Sequence, residues 1–350
     1  MEEDVEKMAA ADAFAEDREV CVLLDQVSVL AHLATFGILG VLLRYGLEQL
    51  FGPTIAQVTD TSSALFIDLP ANMLGCFFMG WVGVVLKKEI AHFSEHLAVG
   101  LSTGLMGSIT TFASWSQSMV RIITAGCWVR GLLGFLLGME LAMMSLLIGI
   151  DSANLLLACK LDDATTEASK SKKPKKLYWR HTTQLLLFVF LSIGLWTMAF
   201  FLLFRENDYR RKKLWIACTL APLGVWLRWW LSNLNGRGVA GRLCWLPTGT
   251  LCANVTASLA EFVLNILELL GVVSNHQLLL VSGGIQFGML GCMSTVSTLA
   301  AEIYWLERRA VGWKRCGYAY ACLSILVTLL AGLISFSAVA WIHGGVLLLS

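Results

Sequence analysis

The chain carries the same set of apolar motifs twice. The first half reads Leu42-Leu43-Arg44-Tyr45, then Pro70-Ala71-Asn72-Met73-Leu74-Gly75, then the Gly104–Trp115 run Gly-Leu-Met-Gly-Ser-Ile-Thr-Thr-Phe-Ala-Ser-Trp. The second half answers in the same order with Trp226-Leu227-Arg228-Trp229, then Thr250-Leu251-Cys252-Ala253-Asn254-Val255, then Gly288–Leu299, Gly-Met-Leu-Gly-Cys-Met-Ser-Thr-Val-Ser-Thr-Leu. An arginine, an asparagine and a Gly/Thr-rich helix interruption therefore recur at matching places. In an apolar chain this points to a transporter or channel of two related bundles with its working site between them.

Hydrophobic residues make up 57% of the chain and charged residues 15%, with a mean hydropathy of +0.68. A soluble domain carries about 25% charged residues. Apolar stretches of about 20 residues recur, the length needed to cross a bilayer. The expected fold class is all-α and polytopic. Spans are expected near 27–47, 66–86, 96–118, 128–150, 183–204, 214–233, 247–270, 276–300 and 317–342. The first four form one repeat, over 27–150, and the last four another, over 214–342. Residues 183–204 match neither repeat and form a linker transmembrane helix. Four crossings return a chain to its starting side, so this extra crossing inverts the second bundle. Residues 1–26 read as an acidic, disordered or surface-lying tail. Residues 151–182 read as a cytosolic linker with lysines at 170, 172, 173, 175 and 176.

The distribution of Lys and Arg favours a cytosolic N-terminus and an extracellular C-terminus. Lys87/Lys88, the lysine linker, Arg237/Arg242 and Arg308/Arg309/Lys314/Arg315 then lie inside. The cluster Arg210-Arg211-Lys212-Lys213 is the exception. Ten cysteines occur without a CxxC pair and read as free, small apolar residues. His92 and His96 stand four apart without further ligands, so they do not read as a metal site.

Polar residues at membrane depth carry the chemistry. Asn72 and Asn254 must find partners in the bundle or face water. Each reads either as an interhelical hydrogen bond or as a pore residue, and their repetition favours the pore. Arg44 and Arg228 read either as snorkelling cations or as an anion-attracting vestibule. Gly104, Gly107, Gly288 and Gly291 beside Ser/Thr runs are expected to let the third span of each repeat leave helical geometry. Tyr320, Ser324 and Thr328, spaced four apart, line one helix face. Their hydroxyls can replace part of an anion's hydration shell. The fourth span, Leu132 to Ile148, has Leu, Gly and Met instead. Glu140 and Glu261 read either as proton-coupling carboxylates or, more plainly, as carboxyls paired with a cation such as Arg44 or protonated in place.

The Gly104–Trp115 run resembles the GxxGxxTTFSxF signature of the Fluc/CrcB fluoride channels. The preceding Arg-Tyr and the Asn72/Gly75 pair fit the same family. The two repeats around a linker helix look like its eukaryotic fluoride exporters, as does segment 221–235. The resemblance implies a passive, fluoride-selective channel, not an enzyme, that exports cytosolic fluoride across the plasma membrane and confers fluoride resistance. It implies a single chain acting as a pseudo-dimer in the lipid bilayer, with fluoride and no nucleic acid as partner. It further implies a structural sodium ion held by the backbone carbonyls of Gly107, Thr110, Gly291 and Ser294. Asn254, Tyr320, Ser324 and Thr328 would line one pore and Asn72 the other. The family's paired phenylalanines match Phe112 and, as a replacement, Trp115. Val296 and Leu299 stand at those places in the second repeat. The alternative is a proton-coupled secondary transporter of a small anion.

Overall fold

The computed structural model describes residues 2–164, 177–238, 243–308 and 316–342. Among these the chain is helical throughout its ordered elements. Eight helices are long and apolar enough to cross a membrane, and nine if one bent pair counts as a span. The protein is a multi-pass membrane protein.

The first repeat opens with α1 (Glu2–Phe51). The acidic segment, expected as a disordered or surface-lying tail, is the N-terminal part of this continuous helix, which corrects the disordered alternative and has a local cause. Its Glu, Ala, Lys and Met residues are strong helix formers, and acidic residues complement a helix N-terminus. α2 (Leu69–Met79) starts with Pro70 in its first turn, where no backbone donor is needed. It continues through a π-helical stretch, Gly80–Val85, and then bends by 67° into α3 (Lys87–Phe93). Next come α4 (Glu95–Val99), a second π-helical stretch at Gly100–Met106, α5 (Gly107–Ile109) and, after a break, α6 (Ala113–Thr124). α7 (Trp128–Ala164) closes the repeat. It runs well into the segment expected as linker, whose lysine cluster lies outside the described residues.

α8 (Leu177–Arg205) is the linker helix. It packs on α1 and α9 and leaves most of its apolar surface uncovered. Phe190 and Phe204 are 71% and 72% exposed, as a lipid-facing helix requires.

The second repeat repeats the plan. α9 (Tyr209–Ser232) is capped by Asp208, which accepts from Arg211 N at 3.0 Å. α10 (Thr248–Leu269) follows, its first turn capped by Asn235, whose Oδ1 accepts from Gly249 N at 2.7 Å. α11 (His276–Gly284), a π-helical stretch at Ile285–Leu290, α12 (Gly291–Met293), a break and α13 (Ser297–Arg308) form the next crossing. α14 (Cys316–Ile342) ends the bundle. Arg242, Arg309, Lys314 and Arg315 lie outside the described residues.

The bundles interlock. α1 packs on α9, so the first helices of the two repeats meet. α6 packs against α10 and α14 of the other repeat, while α13 packs against α2 and α7. The second half of each broken crossing thus reaches between the second and fourth helices of the other repeat. Five crossings separate the start of α1 from that of α9, so the repeats run in opposite senses. Single cysteines, Asn207→Cys and Arg237→Cys in a cysteine-free background, are expected to react with an impermeant thiol reagent from opposite sides of the membrane.

Candidate ion pathway at two broken helices

The breaks lie at Thr110 and Ser294. Both have extended backbone, with ψ of 146° and 158°. Gly107 and Gly291, expected to loosen the helix, remain helical. Their lack of a side chain serves close approach instead. A Cβ on Gly107 would overlap the Arg228 guanidinium, and one on Gly291 would lie 2.6 Å from Arg44 Nη1.

An extended residue inside a membrane crossing exposes backbone groups that must be paired. The two asparagines pair them identically. Asn72 donates from Nδ2 to Thr111 O at 3.2 Å and accepts from Thr111 N at 2.8 Å. Asn254 donates to Thr295 O at 3.1 Å and accepts from Thr295 N at 2.7 Å. Both side chains are buried. The amides therefore brace the breaks through interhelical hydrogen bonds, one of the two readings open in the sequence.

The helices after the breaks are capped from the opposite repeat. Ser294 Oγ accepts from Phe112 N at 3.2 Å and from Ala113 N at 3.1 Å, at the start of α6. Thr110 Oγ1 accepts from Val296 N at 3.2 Å and Ser297 N at 3.1 Å, at the start of α13. Side-chain oxygens on the first N–H groups of a helix are N-caps, here supplied in trans between repeats. Further hydroxyl contacts, Thr110 to Thr295 and Thr111 to Ser294, each at 3.1 Å, close the crossing.

The two arginines do not snorkel. Arg44 is 1% exposed and Arg228 3%. Arg228 donates to Gly107 O at 2.6 Å, to Ser294 O at 3.3 Å and also to Thr103 O. Arg44 donates to Phe287 O and lies 4.5 Å above the Phe287 ring. Each arginine thus reaches the third crossing of the other repeat. Neither forms an ion pair among the described residues, and Arg44 Nε and Nη1 and Arg228 Nε have no hydrogen-bond partner. Arg44 borders a cavity of about 240 Å³ that Arg228 does not line. Arg44 thus reaches a cavity, whereas Arg228 is bound into backbone carbonyls.

The hydroxyl stripe on α14 is buried: Tyr320, Ser324 and Thr328 are all 0% exposed. Ser324 Oγ donates to Tyr320 O at 2.9 Å and Thr328 Oγ1 to Ser324 O at 2.8 Å. These bonds to the preceding turn satisfy the hydroxyls within the helix, and rotating an O–H frees it for another acceptor. Tyr320 OH donates to Glu302 Oε2 at 2.8 Å. Glu302 also receives Thr250 Oγ1 at 2.6 Å and Asn235 Nδ2 at 3.1 Å. This carboxylate was not singled out from the sequence. Its signal was its place, four residues after Thr298 in the same apolar crossing. Ser118 occupies the matching position in the first repeat.

Phe112 and Trp115 diverge. Phe112 is fully buried at the crossing, its backbone held by Ser294. Trp115 turns toward its own repeat. Its Nε1 donates to Gly134 O at 3.3 Å, and its ring stacks 5.6 Å from Phe66 and lies 2.5 Å from where a Cβ on Gly138 would sit. The small residues of α7 make room for the indole. Glu140 projects from α7 as an exposed side chain, away from this packing. Glu261 is 3% exposed, without an ion pair among the described residues. Lys213, from the basic cluster that contradicts the charge rule, turns into the cavity beside Asp68 and Glu268.

Loss of a trans cap should cost about 1 kcal/mol, or up to ~2 in a buried setting. Thr110→Val and Ser294→Ala are each expected to lower the unfolding temperature of the purified protein. The double variant should fall short of the sum, since the residues share one network.

The CrcB-like protein (camphor resistance) family model matches residues 31–150 and again 215–336. The Fluoride export protein 1 of Neurospora crassa is 26% identical over 98% of this chain and 72% of its own length. The Fluoride-specific ion channel FluC of Shewanella denitrificans is 32% identical over 34% of this chain and 91% of its own. That of Salinibacter ruber is 34% identical over 37% of this chain and 91% of its own. No solved structure matches. A chain that carries this family's signature twice, with each copy completing the other's helix break, belongs to the CrcB family.

Proposed function

We propose that the protein is a fluoride channel, not an enzyme, that lets cytosolic fluoride leave passively across the plasma membrane, with the N-terminus cytosolic and the C-terminus outside. The observation that carries this reading is the buried polar track of α10 and α14 beside a braced helix crossing in a CrcB-family chain. Fluoride is small and strongly hydrated, so its path needs donors at close range. Asn254, Ser324 and Thr328 supply amide and hydroxyl groups, and Phe112 can present the positive edge of its ring. Tyr320 spends its O–H on Glu302 and offers its ring edge. Arg44 attracts anions to the cavity. A cytosol-negative potential of about 100 mV supplies roughly 2.3 kcal/mol per charge in the outward direction, so no proton coupling is required.

Sodium is part of the same proposal. The reading is supported by the carbonyls of Gly107 and Ser294, from opposite repeats, which both accept from Arg228 Nη1 and so lie close enough to face one cation. With Thr110 and Gly291 these oxygens would hold sodium, a hard cation suited to carbonyl ligands. When bound, the ion would tie the helix ends on both sides of the crossing together. Arg228 would then share or yield two of its acceptors.

Fluoride efflux from liposomes is expected to be electrogenic, to proceed without an imposed proton gradient and to carry no protons with it. Obligatory proton movement would assign the protein to the coupled transporters instead. The two paths are expected to be unequal. Because Asn72 and Asn254 brace the breaks alike, the hydroxyl stripe is the better discriminator. Losing a donor to a desolvated ion costs about 1.5–3 kcal/mol, roughly ten- to a hundredfold in rate. Ser324→Ala with Thr328→Val should reduce efflux to that extent. Ser145→Ala on α7 should leave efflux close to that of the unaltered protein.

A further inference from the structure

The polar track of the second repeat does not stop at Asn254. Along α10, Asn254, Ser258, Glu261 and Asn265 fall at helical spacing on one face. All four are buried, at 0%, 0%, 3% and 9% exposure. The matching residues on α2 are Asn72, Cys76, Met79 and Gly83, so the first repeat has no such continuation. Ser258 Oγ and Glu261 Oε2 are buried without a hydrogen-bond partner, as is Ser116 Oγ on α6, the helix packed against α10. Buried polar atoms left unpaired in a membrane protein mark a place where something else supplies the bond.

Glu261 lines the cavity between α6 and α10, with Ser114, Gln117 and Arg121 on the opposite wall and Asn265 beyond it. Thr250, which binds Glu302 at the other end of α10, is about 16 Å away along the helix axis. The track therefore leads from the Glu302–Tyr320 end, past Asn254 and Ser258, to a carboxyl facing an open cavity.

We infer that Glu261 is the side chain that guards the anion path of the second repeat where it meets the cavity, serving the ion as an O–H donor when protonated and closing the path as a carboxylate. This rests on the fluoride-channel reading. The inference follows from sign and geometry. A carboxylic acid carries one donor and suits an anion, whereas a carboxylate carries only acceptors and repels it. The charged groups facing Glu261 are Asp68 before α2, Arg44 on α1 and Lys213 on α9. Arg121 on α6 and Glu268 on α10 line the same cavity. Cations and carboxylates are thus mixed, and none is paired with Glu261. Met79 at the matching place in the first repeat can do neither job.

The test is fluoride efflux from liposomes holding the purified full-length protein, at about pH 6 and about pH 8, with the leak of protein-free vesicles subtracted. Wild-type efflux is expected to fall roughly fivefold or more as pH rises, the profile of an essential protonated group. Glu261→Gln keeps a donor of the same shape and cannot ionise, so its profile should be flat. Glu261→Asp should keep the slope, which guards against a folding defect in one variant. A wild-type slope retained in Glu261→Gln, or flat profiles in both, overturns the inference and leaves the channel reading standing. Absence of fluoride flux from the wild type at either pH overturns both.

Discussion

Each repeat completes the helix break of the other, and the rest of the structure depends on that exchange. A crossing that turns extended at mid-membrane leaves backbone groups which hydrocarbon cannot satisfy. Asn72 and Asn254 answer from within each repeat, by a two-point amide clamp. Ser294 and Thr110 answer from across the interface, by capping the helix that restarts after the break. Neither repeat alone can satisfy its own third crossing. This explains physically why the motifs come in pairs and why the second bundle must face the first in inverted sense.

Symmetry in bracing coexists with asymmetry along the paths. The clamp, the caps and one arginine-to-carbonyl contact, Arg44 to Phe287 O and Arg228 to Thr103 O, are shared by both halves. The side chains lining the flanking helices are not. The second repeat keeps hydroxyls on α14 and polar residues down α10, while the first fills the equivalent space with Leu, Met, Gly and an inward-turned indole. Trp115 packs on the glycines of α7 and on Phe66 and Phe135. That packing converts the matching space in the first repeat into apolar core. A duplicated fold can thus keep both copies as structural partners while the helices beside them diverge, because each break must be braced whatever lines its flanks.

Much of the site was legible before any coordinates. The paired Arg, Asn and Gly/Thr motifs identified the crossing, and the i, i+4 spacing of Tyr320, Ser324 and Thr328 identified a buried face. The reading went astray where a residue's role depends on what approaches it. The break expected from the glycine runs is there, but at Thr110 and Ser294, while Gly107 and Gly291 stay helical and admit an arginine from the other repeat. Arg228 was grouped with Arg44 as a vestibule residue, yet its guanidinium is absorbed by carbonyls. Glu302 is not legible in the sequence because its partners, Asn235, Thr250 and Tyr320, are scattered over three other segments. The N-terminal segment was read as a tail because acidic composition argues against burial, although its helix formers carry α1 to Glu2.

The sequence by itself determined the all-helical class, the duplication, the linker crossing and the identity of the polar residues at membrane depth. These follow from hydropathy, helical period and the requirement that buried polar groups be satisfied, all of which act along the chain. Only the tertiary structure decided which oxygen caps which helix, where each guanidinium ends, which way Trp115 turns, and that Glu261 meets a cavity while Glu140 faces outward. Those outcomes are set by contacts between residues far apart in the chain, and helical spacing constrains a side chain's face without naming what lies opposite it.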